Sequence, residues 1–162
     1  MEASWINRRL STTYHMKSKF KNIFVQGAIA PQKIADSIAR HSVKTGIGGH
    51  SIFLGQVRAD EKESGAVTAI EYTAYEEMAL EKAYQIREAA LEKYPLACLH
   101  IYHSLGEVKA GEICLFVFTS SKHRVAAIDA CTEIVEQIKI ELPVWGKEIL
   151  DNTLTAWKVN TI

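Results

Sequence analysis

The sequence predicts an α+β fold in which three main helices pack against a mostly antiparallel sheet. Three segments repeat apolar residues at spacings of three and four, as amphipathic helices do, and shorter segments rich in β-branched and aromatic residues lie between them. Several strand-like segments follow one another directly, separated only by turn residues, which favours hairpins and therefore antiparallel pairing. With 162 residues, 48% of them hydrophobic, the chain is long enough to bury the core of one globular domain.

The three helices are predicted from their apolar positions and from nearby prolines. The first is predicted to begin at Pro31, which suits a first helical position, and to end before the glycine-rich segment 46–50. The second is predicted over residues 76–94 and the third over residues 124–142. Each of these two is ended by the proline that follows it, because proline cannot continue a helix.

Seven segments have the composition of strands, and six of them are predicted to form three hairpins. The segments are residues 22–26, 51–58, 67–75, 97–105, 112–121, 144–150 and 153–160. The second and third are predicted to pair across a polar tip at 59–65, and the fourth and fifth across a turn at 106–111. The last two are predicted to pair around Asp151 and Asn152.

The overall charge gives no sign of a surface for nucleic acid or membrane. Nineteen basic residues balance nineteen acidic ones, so any anion site must be a local cluster. The sequence contains no run of about 20 apolar residues that could span a bilayer.

The three cysteines, Cys98, Cys114 and Cys131, lack the CxxC or Cys/His spacing of metal sites. They are interpreted as buried thiols, and we expect a cytoplasmic protein without a metal site.

The first fifteen residues differ in character from the rest. They are rich in Ser and Thr, contain Arg and show no clear apolar period. Residues 1–15 are interpreted as a disordered extension or as a remnant of cloning or of an alternative start site, since Met16 could be the true start. A transit peptide is the alternative, although Glu2 argues against it. A single domain is expected over residues 16–162.

A basic cluster lies at the predicted junction of a strand and the third helix. The segment SSKHR, residues 120–124, places Lys122, His123 and Arg124 beside the backbone amides that a helix N-terminus leaves without partners. This arrangement favours an anionic ligand. The alternative is that a serine caps the helix and the charges are solvated, although cations at this end oppose the helix dipole.

Three further cations are candidates for the same anion site. Lys139 and Lys147 flank the predicted end of the third helix, and Arg58 ends a strand beside a polar loop. The alternative is that these cations are solvated surface residues, as single lysines and arginines in such positions more often are. Lys139 follows Arg124 by fifteen residues, about 22 Å along one helix, so the two cannot bind one small ligand within a single chain. If both clusters serve one site, that site is shared between the two chains of a homodimer.

The sequence lacks the GxSxG, HExxH, P-loop and Rossmann motifs of common enzyme classes. Five other motifs, taken in order, give the chain a resemblance to a known family. The motifs are GQVR at 55–58, IEYTAYEEMA at 70–79, HSLGEVKAGE at 103–112, SSKHR at 120–124 and IKIELPVWGKE at 138–148. In order and spacing they resemble the MoaE family, the large subunits of molybdopterin synthase. The resemblance extends from about residue 47 to residue 157.

The resemblance implies an α/β hammerhead fold and a sulfurtransferase activity. Proteins of this family dimerise and bind at each end a small ubiquitin-like subunit, MoaD, whose C-terminal Gly-Gly carries a thiocarboxylate, so that a heterotetramer results. The implied substrate is cyclic pyranopterin monophosphate (precursor Z) and the implied product is molybdopterin, with one sulfur transferred per thiocarboxylate tail. No metal or redox cofactor is implied for this step.

The resemblance also implies roles for individual residues. His123, Arg124 and Arg58 are expected to bind the cyclic phosphate of the substrate, where arginine offers two parallel hydrogen bonds. Lys139 matches the catalytic lysine of the family. It is expected to bind substrate and to stabilise the negative charge that develops when the thiocarboxylate reacts, or to act as an acid or base.

One departure from the family pattern concerns the second active-site lysine. In the family this lysine follows the tryptophan directly, whereas here Gly146 lies between Trp145 and Lys147. Because glycine is conformationally permissive, Lys147 could still turn inward as a catalytic residue, and Lys158 is an alternative cation. The departure leaves a second function open, that of a non-catalytic MoaD-binding dimer that retains the fold but not the turnover.

Overall fold

A computed structural model describes residues 20–152 and 154–158, and within them it places three helices against an eight-stranded sheet. The helices are α1 (Pro31–His41), α2 (Glu76–Lys93) and α3 (Arg124–Glu141). The strands are β1 (Phe24–Gln26), β2 (Gly49–Gln56), β3 (Glu61–Lys62), β4 (Gly65–Ala74), β5 (Leu96–Lys109), β6 (Ile113–Ser121), β7 (Val144–Leu150) and β8 (Thr155–Trp157). The extension predicted at residues 1–15 lies outside the described residues.

The predicted α+β class with a mostly antiparallel sheet is confirmed. The strand order is β2-β6-β5-β4-β7-β8, with β1 paired to β5 and β3 paired to β4. Among the described strands, β1 with β5 is the one parallel pair. The predicted hairpins β5–β6 and β7–β8 both form, and the ends of the last predicted strand, at residues 153 and 159–160, lie outside the described residues.

The predicted hairpin between the second and third strand segments is wrong. β2 pairs along its length with β6, from Gly49 opposite Ser121 to Gln56 opposite Ile113, and β4 pairs with β5 and β7. Nearly every residue of β6 is buried, so both of its edges must pair with other strands, and β5 covers only one of them. β2 suits the other edge, because its alternating half-buried and exposed residues are typical of a strand at the border of a sheet. The loop between β2 and β4 instead contains the short strand β3, which pairs with the start of β4.

The core is organised around β6, which is buried on both faces. Phe116 and Phe118 lie on the face that α1 covers, where Ile34 packs against them. Leu115 and Val117 lie on the opposite face, in the larger core cluster that residues of α2 and α3 complete. α3 therefore runs over β2 and β6 and brings its C-terminal turn to the sheet. No helix among residues 20–152 and 154–158 combines the length and apolar character needed to cross a bilayer.

β5 is longer than predicted because it continues beyond the expected turn and changes partners on the way. Its first part pairs with β6 up to His103, and its last part, from Gly106 to Lys109, pairs with β4. At the change Gly106 has φ +76°, a left-handed conformation that side-chain-bearing residues rarely adopt. This glycine lets one strand belong to both halves of the sheet.

Replacing Gly106 by alanine is expected to lower the free energy of unfolding by about 1–2 kcal/mol, the cost of a left-handed backbone for a residue with a Cβ. The added Cβ meets nothing closer than Gln26 Oε1 at 3.7 Å, so the expected loss comes from the backbone and not from a clash. Gly46→Ala is the matched control, because Gly46 has no such φ and its Cβ position is open. Denaturant unfolding measures both. Equal stabilities of the two variants would contradict the prediction.

Candidate active site

A cleft opens where the C-terminal turn of α3 meets the sheet. Its volume is about 70 Å³, and five of the residues that line it have polar or reactive side chains. They are Tyr72, His103, Cys114, Lys139 and Lys158. These residues come from β4, β5, β6, α3 and the segment after β8, so the cleft exists only in the folded chain.

Lys139 and Lys158 lie between this cleft and a wider groove. The groove has a volume of about 510 Å³ and is lined by both lysines, by Arg58 and by one carboxylate, Glu136. Among the described residues neither lysine forms an ion pair, whereas Arg58 pairs with Asp60 at 2.8 Å. Two lysines that converge without forming ion pairs produce a local positive potential, which favours an anionic ligand.

The position of Lys158 is fixed by the neighbouring strand. Its backbone N–H donates to the carbonyl oxygen of Gly146 at 2.9 Å, which continues the ladder between β7 and β8. Burial lowers the pKa of Lys158 below its ordinary value, and the charges of Lys139 and Arg58 lower it further. A lysine with a lowered pKa is a better acid or base near neutral pH than an ordinary surface lysine.

The inner wall of the cleft is polar but uncharged. His103 Nδ1 donates to the carbonyl oxygen of Ser104 at 2.9 Å, so the neutral ring has its lone pair at Nε2. Burial lowers the pKa of His103 to about 4, and the charge of Lys139 adds to this effect. Burial also raises the pKa of Tyr72, with a further increase from Cys114. At neutral pH the positive charge of the cleft therefore comes from its lysines.

The predicted phosphate-binding residues His123 and Arg124 lie at the opposite end of α3. Both are exposed, and His123 occupies the N-cap position without making a side-chain capping bond. α3 runs without a break from Arg124 to Lys139. The prediction that one continuous helix holds these two residues apart is therefore confirmed. Within one chain the structure therefore brings Arg58 to Lys139, but neither His123 nor Arg124.

The sequence profile described as MoaE protein matches residues 25–141, well over half of the chain. This chain belongs to the MoaE family. A relative from Pyrococcus abyssi named molybdopterin synthase catalytic subunit is 42% identical over 104 residues, which are 64% of this chain and 70% of that protein. A relative from Drosophila grimshawi with the same name is 39% identical over 115 residues, which are 70% of this chain but 32% of the longer relative.

Solved structures repeat the fold of this MoaE family member. The X-ray structure of molybdopterin synthase from Staphylococcus aureus superimposes with a TM-score of 0.74 at 29% identity, covering 90% of this chain and 100% of the other. The complex of subunits 1 and 2 of molybdopterin-converting factor from Helicobacter pylori 26695 gives a TM-score of 0.70 at 21% identity, covering 83% of this chain and 87% of that one. At that identity the second likeness shows the fold alone.

In this MoaE family member the cleft is bordered by Gly146 and not by Lys147. A Cβ added at Gly146 would lie 2.9 Å from Ile70 Cγ2 and 3.7 Å from Lys158 Cβ. Successive side chains of a strand point to opposite faces, so Lys147 lies on the other face of β7 and does not line the cleft. Of these two lysines, it is therefore Lys158 that lies beside Gly146 and borders the cleft.

The sequence does not predict the three uncharged residues of the cleft. Tyr72 and His103 lie within the family motifs at 70–79 and 103–112, so their place in those motifs is the signal that could have identified them. Cys114 is interpreted from the sequence as a buried core thiol, and it is buried, but it also borders the cleft. A linear pattern does not distinguish a buried residue beside a cleft from one in the core.

Proposed function

We propose that this chain is the catalytic subunit of a molybdopterin synthase, a sulfurtransferase that converts cyclic pyranopterin monophosphate to molybdopterin. One observation carries the proposal: Lys139 and Lys158, which form no ion pair within the described residues, lie at the junction of a narrow cleft and a wide groove. Such a junction suits two ligands that meet at a cationic point. The names of the relatives from Pyrococcus abyssi and Drosophila grimshawi support the assignment.

The sulfur donor in this proposal is a MoaD-type small subunit with a C-terminal Gly-Gly thiocarboxylate. A Gly-Gly tail has no side chains, so it fits a narrow cleft that is bordered by Gly146. The wider groove, with Arg58 beside the two lysines, has room for the pterin and charge for its phosphate. The complex of two subunits from Helicobacter pylori supports a partnership of this kind.

Transfer of one sulfur requires two bonds to form and two to break. The thiocarboxylate sulfur forms a bond to a carbon of the pterin side chain, and a carbon–oxygen bond at that carbon breaks, so that the oxygen leaves with the phosphate or as water. Water then attacks the acyl carbon and breaks the acyl–sulfur bond, which leaves the sulfur on the pterin as a thiolate. The tail leaves as a carboxylate, and negative charge develops on the acyl oxygen during the attack. Lys139 and Lys158 are placed to stabilise that charge, since fixed cations in a partly water-excluded site act strongly on it.

The complete site in this proposal is shared by two copies of the chain. Lys139 and Arg58 come from one copy, and His123 and Arg124 of the second copy contribute the remaining charge for the phosphate. Two apolar side chains beside Arg124, Val125 and Ile128, are 57% and 50% exposed, as expected for a surface that another chain covers. Two such copies with two small subunits form a heterotetramer.

A cytoplasmic location and a single domain over residues 16–162 belong to the same proposal. All three cysteines are free thiols, which suits a reducing compartment.

The proposal is tested by reconstitution of the reaction from purified components. The full-length chain is combined with a thiocarboxylated MoaD-type partner and cyclic pyranopterin monophosphate, and molybdopterin is followed as its fluorescent oxidised derivative. We expect product with the thiocarboxylated partner and none with the same partner carrying an ordinary carboxylate. Partner binding without any product would support the non-catalytic dimer instead.

Mixed dimers test whether the site is shared. Lys139→Ala and Arg124→Ala are each expected to inactivate the enzyme, whereas a mixture of the two variants regains activity. In a mixed dimer one site combines the intact Lys139 of one copy with the intact Arg124 of the other, and the second site lacks both. If both residues served one site within a single chain, every site of the mixture would be defective and no activity would return.

A further inference from the structure

Three metal-binding side chains converge at a place that shares no residue with the cleft or the groove. His41 is the last residue of α1, and Cys98 and His100 are alternate residues of β5. His41 Nε2 lies 2.9 Å from Cys98 Sγ, Cys98 Sγ lies 3.0 Å from His100 Nε2, and the two Nε2 atoms are 3.3 Å apart. All three ligand atoms therefore face one point.

The hydrogen bonding of His41 directs a lone pair at that point. Its Nδ1 lies 2.6 Å from the carbonyl oxygen of Ser37, and a carbonyl can only accept, so Nδ1 carries the proton. In a neutral ring Nε2 is then unprotonated, and Nε2 is the atom that faces Cys98 and His100. Histidines that bind metals show this same arrangement, in which the second ring nitrogen donates to a backbone carbonyl and fixes the ring.

Packing holds the other side chains of the cluster in place. The Phe118 ring lies against His41 with the ring centroids 4.9 Å apart, and against His100 at 6.0 Å. Tyr102 is stacked on His100 with an interplanar angle of 10°. His41 is buried, while Cys98 and His100 are half-buried, so the cluster is reachable from solvent. Its geometry is set by α1 and β5 and not by a loop.

We propose that His41, Cys98 and His100 form a binding site for a transition metal ion of the zinc type. Zinc–nitrogen bonds of about 2.0–2.1 Å and a zinc–sulfur bond of about 2.3 Å in a tetrahedron separate two nitrogens by about 3.3 Å and a nitrogen from the sulfur by about 3.6 Å. The observed nitrogen–nitrogen distance of 3.3 Å fits this geometry. The sulfur has to move outward by about half an ångström, a small rotation of the Cys98 side chain.

Binding breaks the S–H bond of Cys98, releases one proton to solvent and forms the sulfur–metal bond. Three protein ligands leave the fourth tetrahedral position to water.

The donor atoms limit which ion can bind, because the positive charges nearby oppose every metal ion alike. Lys21, Arg40 and Lys44 all act on His100 as positive charges, and no carboxylate belongs to the cluster of ligand atoms among the described residues. Two imidazole nitrogens and one thiolate sulfur suit borderline-soft ions, whereas Mg²⁺ and Ca²⁺ require oxygen ligands. The site therefore selects borderline-soft ions, such as Zn²⁺ and Co²⁺, that bind nitrogen and sulfur.

The sequence predicts no metal site, because its Cys and His residues lack ligand spacing. His41 reaches the cluster only because α1 packs over the face of the sheet that carries Cys98 and His100. The sequence interpretation of Cys98 as a buried thiol is accordingly wrong, since this thiol is half-buried, whereas Cys114 and Cys131 are buried as predicted.

Cobalt titration of the metal-free, untagged full-length chain tests the proposal. We expect one equivalent of Co²⁺ to bind with a near-ultraviolet thiolate-to-cobalt charge-transfer band, and Zn²⁺ to displace it. Cys98→Ser is expected to abolish the band and His100→Gln to weaken binding by about 100-fold or more. Cys131→Ala is the matched control, because it also removes one thiol, and it should keep the band.

Absence of the band in the unaltered chain, or an unchanged band in Cys98→Ser, would overturn the proposal. X-ray absorption of the zinc-loaded unaltered chain gives a test that needs no variant. One sulfur and two imidazole nitrogens around zinc are expected, and a shell without sulfur would refute the site. Neither measurement depends on synthase activity, so the two proposals stand or fall separately.

Discussion

Replacing Lys139 by alanine is expected to lower the kcat of the reconstituted synthase by about 10²- to 10³-fold, the usual cost of removing one preorganised stabilising group. Lys139 borders both the cleft and the groove, so in the proposed reaction its charge is available to the tail and to the pterin. The interaction grows as negative charge develops on the acyl oxygen, and it is therefore stronger in the transition state than in the ground state. Partner affinity should change little, because Lys139 is exposed and a single exposed charge contributes little to affinity.

The control for this variant is a lysine near the same end of α3 that lies outside the site. Lys82 donates to Glu141 at 3.1 Å on the protein surface, and Lys82→Ala should leave kcat unchanged within about twofold, as expected for an exposed ion pair. Lys139→Arg keeps the charge and should retain part of the activity. Partner affinity that falls in parallel with kcat in Lys139→Ala would assign Lys139 to docking and not to catalysis.

Replacing Lys158 by alanine is expected to lower kcat by about 10²-fold, whereas Lys147→Ala should stay within about twofold of the unaltered enzyme. The two lysines are matched, since both are half-buried and Lys147 lies on β7 while Lys158 directly follows the neighbouring strand β8, but only Lys158 borders the cleft. Its stem lies beside Gly146, at the place where the family pattern has a lysine side chain. We therefore expect Lys158, which follows β8, to take the role of the lysine that is absent at Gly146.

The pH dependence of kcat separates a direct role of Lys158 from a structural one. If its charged form is needed, activity is present below the pKa of Lys158 and is lost as the pH rises through it. Burial and the charge of Lys139 lower that pKa, so the alkaline limb should lie below the ordinary lysine value. Lys158→Arg should move the limb to higher pH, because arginine stays charged. If Lys147→Ala loses activity and Lys158→Ala does not, Lys147 and not Lys158 is the second active-site lysine.

Together these variants distinguish a working synthase from a dimer that only docks its partner. A docking protein has no need of two unpaired lysines at a narrow cleft, because unpaired cations brought together repel one another. The arrangement favours a protein that catalyses sulfur transfer, because Arg58 and Lys139 line one groove and Lys158 lies beside Gly146.

Local patterns in the sequence are sufficient for the fold class, the three helices and two of the three hairpins. Helical spacing is a property of neighbouring residues, so the periodic segment that forms α3 predicts a helix without reference to the rest of the chain. The same helix places Lys139 and Arg124 far apart, and this distance follows from the residue spacing alone, so the sequence by itself points to a site shared between two chains. The ordered motifs likewise indicate the family.

Only the tertiary structure decided which distant residues meet. β2 pairs with β6 and not with β4, because covering the second edge of an almost completely buried strand stabilises the sheet more than a local hairpin does. The pairing of β8 with β7 brings Lys158 to Gly146, and the packing of α1 brings His41 to Cys98. Such contacts form when segments that are far apart in the chain pack together, so they cannot be predicted from the spacing of neighbouring residues.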